Sequence, residues 1–245
     1  MKYKKEFELA KKVAFKVGKI LRLDTEKKII SQKKKDIKLD LDQRSEEIII
    51  SELSKNFGYT ILSEESGLIN ETKKSQPYWI IDPLDGTLNF SRSNPSCCVS
   101  IAFWKKKNPL FGVIYDFNRN ELFSGYQGKG AWLNNKKLKI RPQSKKSQSI
   151  LATGFPVNIS NNKKDLQIFI TQIQEYKKIR MIGSAALSLA YICCGRFDIY
   201  KENNIKLWDI AAGVAINKAI GNKFRIKYLE NFETNTKVWS SYKKK

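Results

Sequence analysis

The chain has 245 residues, 41% of them hydrophobic, enough for one large domain or two small ones around a sizeable buried core. It carries 46 Lys plus Arg against 24 Asp plus Glu, a formal charge of +22, and no histidine. The missing histidine excludes a Ser-His-Asp triad, a Cys-His pair, a His-ligated zinc hydrolase and a phosphohistidine, so any hydrolysis must run on carboxylates, hydroxyls and metal.

The charge would attract nucleic acid, an anionic membrane or a phosphorylated metabolite. Lysines are nevertheless scattered along the whole chain beside many Asn and Ile, which reads as composition rather than as a polyanion groove. The lysine-rich start lacks the layout of a secretory signal, and no stretch is apolar enough to span a bilayer. The four cysteines form two adjacent pairs, Cys97-Cys98 and Cys193-Cys194, spaced neither for zinc nor for disulfides. They are expected to be buried thiols in a reducing cytoplasm.

Along the chain, Phe7, Ala10, Ala14, Val17 and Leu21 recur at helical spacing and predict a first helix from Lys4 to Thr25. Lys33-Lys34-Lys35 breaks the pattern. A second helix is expected from Asp42 to Phe57, burying Ile48, Ile49 and Leu53 and ending before Gly58. Short apolar runs at Tyr78–Ile81, Cys98–Phe103 and Leu110–Tyr115 read as strands, with turns at Asp116–Asn120 and Asn134-Asn135. Helices return at Lys163–Glu175, at Ser184–Cys194 before Gly195, and at Trp208–Ala219 before Gly221. No repeat or linker interrupts this order, so one continuous α/β unit over residues 1–245 is expected. Its halves would be about 1–145 and 146–245, with a frayed tail at Lys243–Lys245.

The most informative stretch is Trp79-Ile80-Ile81-Asp82-Pro83-Leu84-Asp85-Gly86-Thr87-Leu88-Asn89-Phe90, an apolar strand that delivers two carboxylates at its end and then turns. Strand ends are where sites form in α/β folds. Pro83 stiffens the turn and can leave the Leu84 carbonyl pointing inward, and Gly86 tolerates close approaches. If a helix starts near Gly86, the amides of Gly86 and Thr87 suit a phosphate. Carboxylate oxygens favour magnesium or manganese over zinc. An isolated Asp-x-x-Asp is equally an Asx-turn with solvated side chains. Two more acidic spots could complete a cluster: Glu64-Glu65 and Asp209. Alone, the first reads as a solvated turn and the second as a first-turn helix acid.

In order and wording these segments resemble the inositol monophosphatase family of metal-dependent phosphatases. The resemblance spans about residues 1–221 and includes Glu64-Glu65-Ser66, the Asp82 signature, Thr153-Gly154-Phe155-Pro156, Gly183-Ser184-Ala185-Ala186 and Trp208-Asp209. It implies a layered αβαβα fold and a homodimer. It further implies Mg2+ as cofactor, with Mn2+ a substitute and Li+ an inhibitor. Glu65, Asp82, Asp85, Asp209 and the Leu84 carbonyl would be metal ligands. Asp42 and Thr87, with Glu65, would orient the attacking water; Asp42 alone reads as an N-cap. Asp85, Gly86, Thr87, Gly183, Ser184, Ala185, Glu202 and Asp209 would contact substrate, Glu202 binding polyol hydroxyls. After Gly213 the sequence departs from the family: Asn217-Lys218-Ala219-Ile220-Gly221-Asn222 replaces its Glu-Ala-Gly-Gly turn, and the final strand region looks short. Inositol monophosphate or a related sugar phosphate ranks first as substrate, ahead of histidinol phosphate, fructose bisphosphate and phosphoadenosine phosphate. The rival of another class is an RNA- or ribosome-associated binding factor.

Overall fold

The computed structural model describes residues 1–24, 26, 28–33, 36–72, 75–142, 144–155 and 163–239. Lys34-Lys35, Pro156 and the Lys243–Lys245 tail lie outside the described residues. Helix α1 spans Lys4–Leu23, and a small hairpin of β1 (Ile29–Lys33) and β2 (Asp36–Leu39) leads into α2 (Asp40–Asn56). Next come β3 (Thr60–Ser63), β4 (Gly67–Ile69), β5 (Pro77–Asp85) and the short α3 (Thr87–Ser91). A meander follows: β6 (Cys98–Lys105), β7 (Asn108–Asp116), β8 (Glu121–Tyr126), β9 (Gly130–Leu133) and β10 (Lys136–Lys137). The second half runs β11 (Ile150–Ala152), α4 (Lys163–Gln174), β12 (Lys178–Arg180), α5 (Ala185–Cys194), β13 (Ile199–Lys206), α6 (Leu207–Ile220), β14 (Lys223–Tyr228) and β15 (Glu233–Trp239).

The strands form an eight-stranded sheet, ordered β10-β9-β8-β7-β6-β5-β3-β4, and a five-stranded sheet, ordered β12-β11-β13-β15-β14. Helices α1 and α2 cover one face of the larger sheet, α5 and α6 lie between the sheets, and α4 lies over the outer face of the smaller one. This is the αβαβα order that the resemblance implies.

Both faces of the larger sheet are buried, so its central strands read as unbroken apolar runs. In β5, Trp79 and Ile81 face α1 and α2, where Phe7, Val13 and Val17 are buried, while Ile80 faces α5 and α6. Helix α6 is apolar all round because it is enclosed on both sides. It comes so close to the sheet that a Cβ on Gly112 would lie 2.3 Å from the Ala212 carbonyl oxygen. Among the described residues no helix is long and apolar enough to cross a membrane.

Most sequence-based expectations hold within one or two residues, including left-handed caps at Gly195 and Gly221. The second helix starts earlier, at Asp40. The final strand region is not curtailed: β14 and β15 pair over six positions, and β15 pairs β13 in turn.

Candidate active site

The site lies where β3 and β5 end. These strands are parallel and in register, Ser63 beside Ile81, so the next residues, Glu64 and Asp82, emerge together at one sheet edge. Strict alternation along β5 would turn Asp82 and Asp85 to opposite faces. A bulge prevents this: Asp82 stands opposite Ser100 and Asp85 opposite Cys98, so three steps on β5 match two on β6. Pro83, which has no N–H to give the ladder, sits inside the bulge. Both aspartates therefore face α5 and α6, and both are buried. The chain then turns at Gly86, whose φ of +92° is left-handed and whose Cβ position would lie 2.7 Å from the Ser96 carbonyl oxygen.

Two helix starts aim further acids at this edge. Asp209, in the first turn of α6, accepts from the Lys206 amide at 3.1 Å. Asp42, in the first turn of α2, accepts from the Leu39 amide through Oδ2 at 2.7 Å, and its Oδ1 is 3.5 Å from the Thr87 hydroxyl, which also donates to the Leu84 carbonyl at 3.0 Å. The structure thus brings together Asp42, Leu84, Thr87, Asp82, Asp85 and Asp209.

Beside the expected Glu65, its neighbour Glu64 hydrogen-bonds Asp82 and bears electrostatically on both Asp82 and Asp209. Although the Glu64 residue is exposed at the rim, its carboxyl end reaches into the acid cluster. Glu65 lies next to it on the same turn. That turn is held by Glu46, whose carboxylate accepts from the hydroxyls of Ser63 and Ser66 and, at 3.2 and 3.1 Å, from the amides of Glu65 and Ser66. Sequence reading missed Glu46. Its signal was the four-residue step from Asp42, which puts two buried acids on one face of α2.

Residues at the start of α5, where substrate contacts are expected, hold a carboxylate of the cluster. The Ser184 hydroxyl donates to Asp85 Oδ2 at 2.5 Å, and the amides of Ala186, at 2.7 Å, and Ala185 also donate to Asp85. A helix N-terminus with free amides is a favourable seat for an anion, and Asp85 occupies it. Gly183 is clamped from behind: the Asn89 amide group donates to the carbonyls of Ser96 at 2.8 Å, Ile182 at 2.7 Å and Gly183 at 3.2 Å. Glu202 comes from β13, an element the sequence did not reveal. It accepts from the Tyr200 hydroxyl at 2.8 Å and from the Gly154 amide.

The electrostatics show a cluster with too much negative charge. Burial raises the Asp82 pKa well above the usual aspartate value, and Glu64, Asp85 and Asp209 add to the rise. Burial does the same to Asp209, reinforced by Glu64 and Asp85. Glu64 is pushed up to about 8, by burial first. Asp85 is raised by burial only to about 6, because Ser184 and the α5 amides favour its charged form. Glu202 is raised by burial to about 7, its bonds to Tyr200 and Gly154 opposing the rise.

Among the described residues, no three such side chains are already drawn into metal-ligating geometry. Asp82 turns Oδ1 to the Leu84 amide at 3.1 Å, while Asp85 and Asp209 use Oδ2 on the donors just named. The donor chemistry nonetheless fits a divalent cation: hard oxygens, mutually repelling, at a converging edge.

A family model described as "Inositol monophosphatase family" matches residues 3–226. The chain belongs to the inositol monophosphatase family. Relatives include "Nus factor SuhB" of Xylella fastidiosa, 40% identical over 195 residues, 79% of this chain and 70% of that protein. "Inositol-1-monophosphatase" of Mesorhizobium japonicum is 37% identical over 182 residues, 74% of this chain and 68% of that one. Among solved structures, inositol monophosphatase from Anabaena superposes with a TM-score of 0.82 at 30% identity, covering 98% of this chain and 92% of that one. Extragenic suppressor protein suhB from Bartonella henselae superposes at 0.85, also 30% identical, covering 96% and 93%. The family's layered fold is thus the fold of this chain, and its signature segments are those that meet at the sheet edge.

Proposed function

We propose that the chain hydrolyses a small phosphate monoester with magnesium, the substrate being inositol monophosphate or a related polyol phosphate. The observation that carries this reading is the convergence of Glu64, Asp82, Asp85 and Asp209, four acids from three segments whose pKa values burial raises, reinforced at Asp82 and Asp209 by their carboxylate neighbours. These four, with the Leu84 carbonyl, would hold the cation. When bound, magnesium supplies positive charge that polarises a phosphoryl oxygen and lowers the pKa of water.

The chain's own residues do the positioning. The Leu39 amide fixes Asp42 Oδ2, which leaves Oδ1 facing Thr87. Thr87 and Asp42 orient the attacking water, with Asp42 as the group that draws its proton through the threonine hydroxyl. Ser184 and the α5 amides keep Asp85 ionised and fixed in place. Gly86 and Thr87 present main-chain amides to the phosphate, and Glu202 receives a substrate hydroxyl. The same reading extends to a cytoplasmic homodimer, inhibited by Li+ and able to use Mn2+.

Phosphate release from inositol monophosphate, histidinol phosphate, fructose bisphosphate and phosphoadenosine phosphate, with and without magnesium and with lithium, tests the proposal. Magnesium-dependent, lithium-sensitive release is expected. Silence of folded protein across the panel would refute it. A second reading, an RNA- or ribosome-associated factor, draws on the +22 charge and on relatives named as a factor rather than an enzyme. Steeply salt-dependent RNA binding without phosphatase activity would favour that one.

A further inference from the structure

Strand β11 runs parallel to β13, with Leu151 beside Ile199 and Ala152 beside Tyr200. Two residues further along each strand, Gly154 comes level with Glu202. The approach there leaves no room for a side chain: a Cβ on Gly154 would lie 2.5 Å from the Glu202 carboxyl carbon and closer still to Oε1. The backbone does not require glycine at this position, because Gly154 does not adopt the left-handed conformation. The carboxylate does. Without a side chain in the way, the Gly154 amide donates to Glu202.

Tyr200 completes the seat. Residues two apart on a strand share a face. Tyr200 is fully buried in the layer of α5 and α6, and its hydroxyl donates to Glu202 Oε2 at 2.8 Å. Burial, and then the charge of Asp85, disfavour a carboxylate at this place, while the bonds from Tyr200 and Gly154 favour it. A glutamate held by two donors keeps one geometry that a free glutamate would lose to rotamer entropy.

We infer that Gly154 and Tyr200 are positioning residues: they fix the Glu202 carboxylate where it accepts a substrate hydroxyl, and so set a preference for esters of polyhydroxylated alcohols. The inference rests on the phosphatase reading and on Glu202 as a substrate contact. It adds what holds that contact, and why residue 154 of the Thr153-Gly154 segment lacks a side chain. A buried acceptor fixed in place rejects a ligand that leaves it unpaired, whereas one free to turn away discriminates less.

The test compares inositol monophosphate with phenyl phosphate, whose alcohol part carries no further hydroxyl, and reads the ratio of their kcat/KM values with magnesium. Gly154→Ala should keep the Tm of the unaltered protein, because the atoms in the way are the far end of a flexible side chain. Its methyl group displaces Glu202, so the ratio should fall by about tenfold or more, the effect of losing one hydrogen bond to a charged group. The fall should come through KM for inositol monophosphate rather than kcat. Tyr200→Phe should lower the ratio in the same way. Glu202→Ala should lower it at least as far, and adding Gly154→Ala to that variant should lower it no further, since both act through one group. If Glu202→Ala lowers the ratio but Gly154→Ala and Tyr200→Phe do not, the inference is overturned and Glu202 stands as a contact. Equal losses on both esters, or additive losses in the double variant, overturn it as well. An unchanged ratio in Glu202→Ala overturns the contact itself, and silence of the folded unaltered protein on both esters overturns the phosphatase reading; the inference falls with either.

Discussion

The Ser184 hydroxyl donates to Asp85 Oδ2 at 2.5 Å, joining the start of α5 to the end of β5 across 99 positions of sequence. The same oxygen of Ser184 accepts from the Leu187 amide at 3.2 Å and so caps the helix. One hydroxyl thereby sets the helix start and one acid of the cluster. Ser184→Ala should lower stability by about 1–3 kcal/mol, from a lost cap and a lost bond to a buried carboxylate. Activity should fall by roughly 10–100-fold, as when a group supporting a ligand is removed. Thermal melts and kcat/KM measure both, and Ser184→Thr, which keeps the hydroxyl, should recover most of each.

Asp82 is the most enclosed acid of the cluster, and three other carboxylates oppose its ionisation. Asp82→Asn keeps shape while deleting that repulsion, so the metal-free variant should melt no lower than the unaltered protein. Turnover with magnesium should drop by about 100-fold or more. A folded Asp82→Asn protein with near-normal activity would remove Asp82 from the ligand set.

Glu64 and Glu65 are adjacent, yet the structure gives them different work. Glu64 follows the strand that runs in register with β5 and bonds Asp82, while the Glu65 amide is tied back to Glu46. Glu64→Gln should abolish magnesium-dependent turnover, and Glu65→Gln should leave most of it. Glu46→Gln should act indirectly, weakening magnesium affinity by roughly 10–100-fold through the turn that carries Glu64. Metal titrations of activity separate the three, and the reverse order for Glu64 and Glu65 would support the sequence-based assignment.

That pair shows where the sequence was legible and where it was not. Helical periodicity and the alternation of apolar runs located α1, α2, α5, α6 and the central strands, because each buries a face whose period shows in one dimension. The Asp82 signature located the site because Pro83 and Gly86 mark a turn chemistry that few other purposes need. Placing Glu64 beside Asp82 required the parallel register of β3 with β5, a long-range property with no local trace. Glu46 and Asn89 were hidden for a related reason: a single polar residue on a helix looks solvated until the segment it clamps is known. Strand β13 escaped because its exposed end, Lys201 to Lys206, is polar and bulged.

The acid cluster also fixes how stability should vary with pH when no divalent cation is present. In the unfolded chain these carboxylates titrate near 4. In the fold Asp85 is held at about 6 and Glu64 at about 8, with Asp82 and Asp209 also raised. Between about pH 4 and 8 the native state therefore binds more protons than the unfolded one, and its stability falls as pH rises. In EDTA, Tm should drop between pH 5 and 8 by more than the roughly 2–4 °C that 1 kcal/mol produces in a chain of this size. Magnesium binds the charged form of the native state only, so it should reduce the drop, most at the alkaline end. Asp82→Asn should flatten the EDTA profile relative to the unaltered protein, which separates this cluster from the rest of the chain's titrating groups. A Tm that is level across this range in EDTA, and indifferent to magnesium at pH 8, would mean that the four acids do not share one buried cation site.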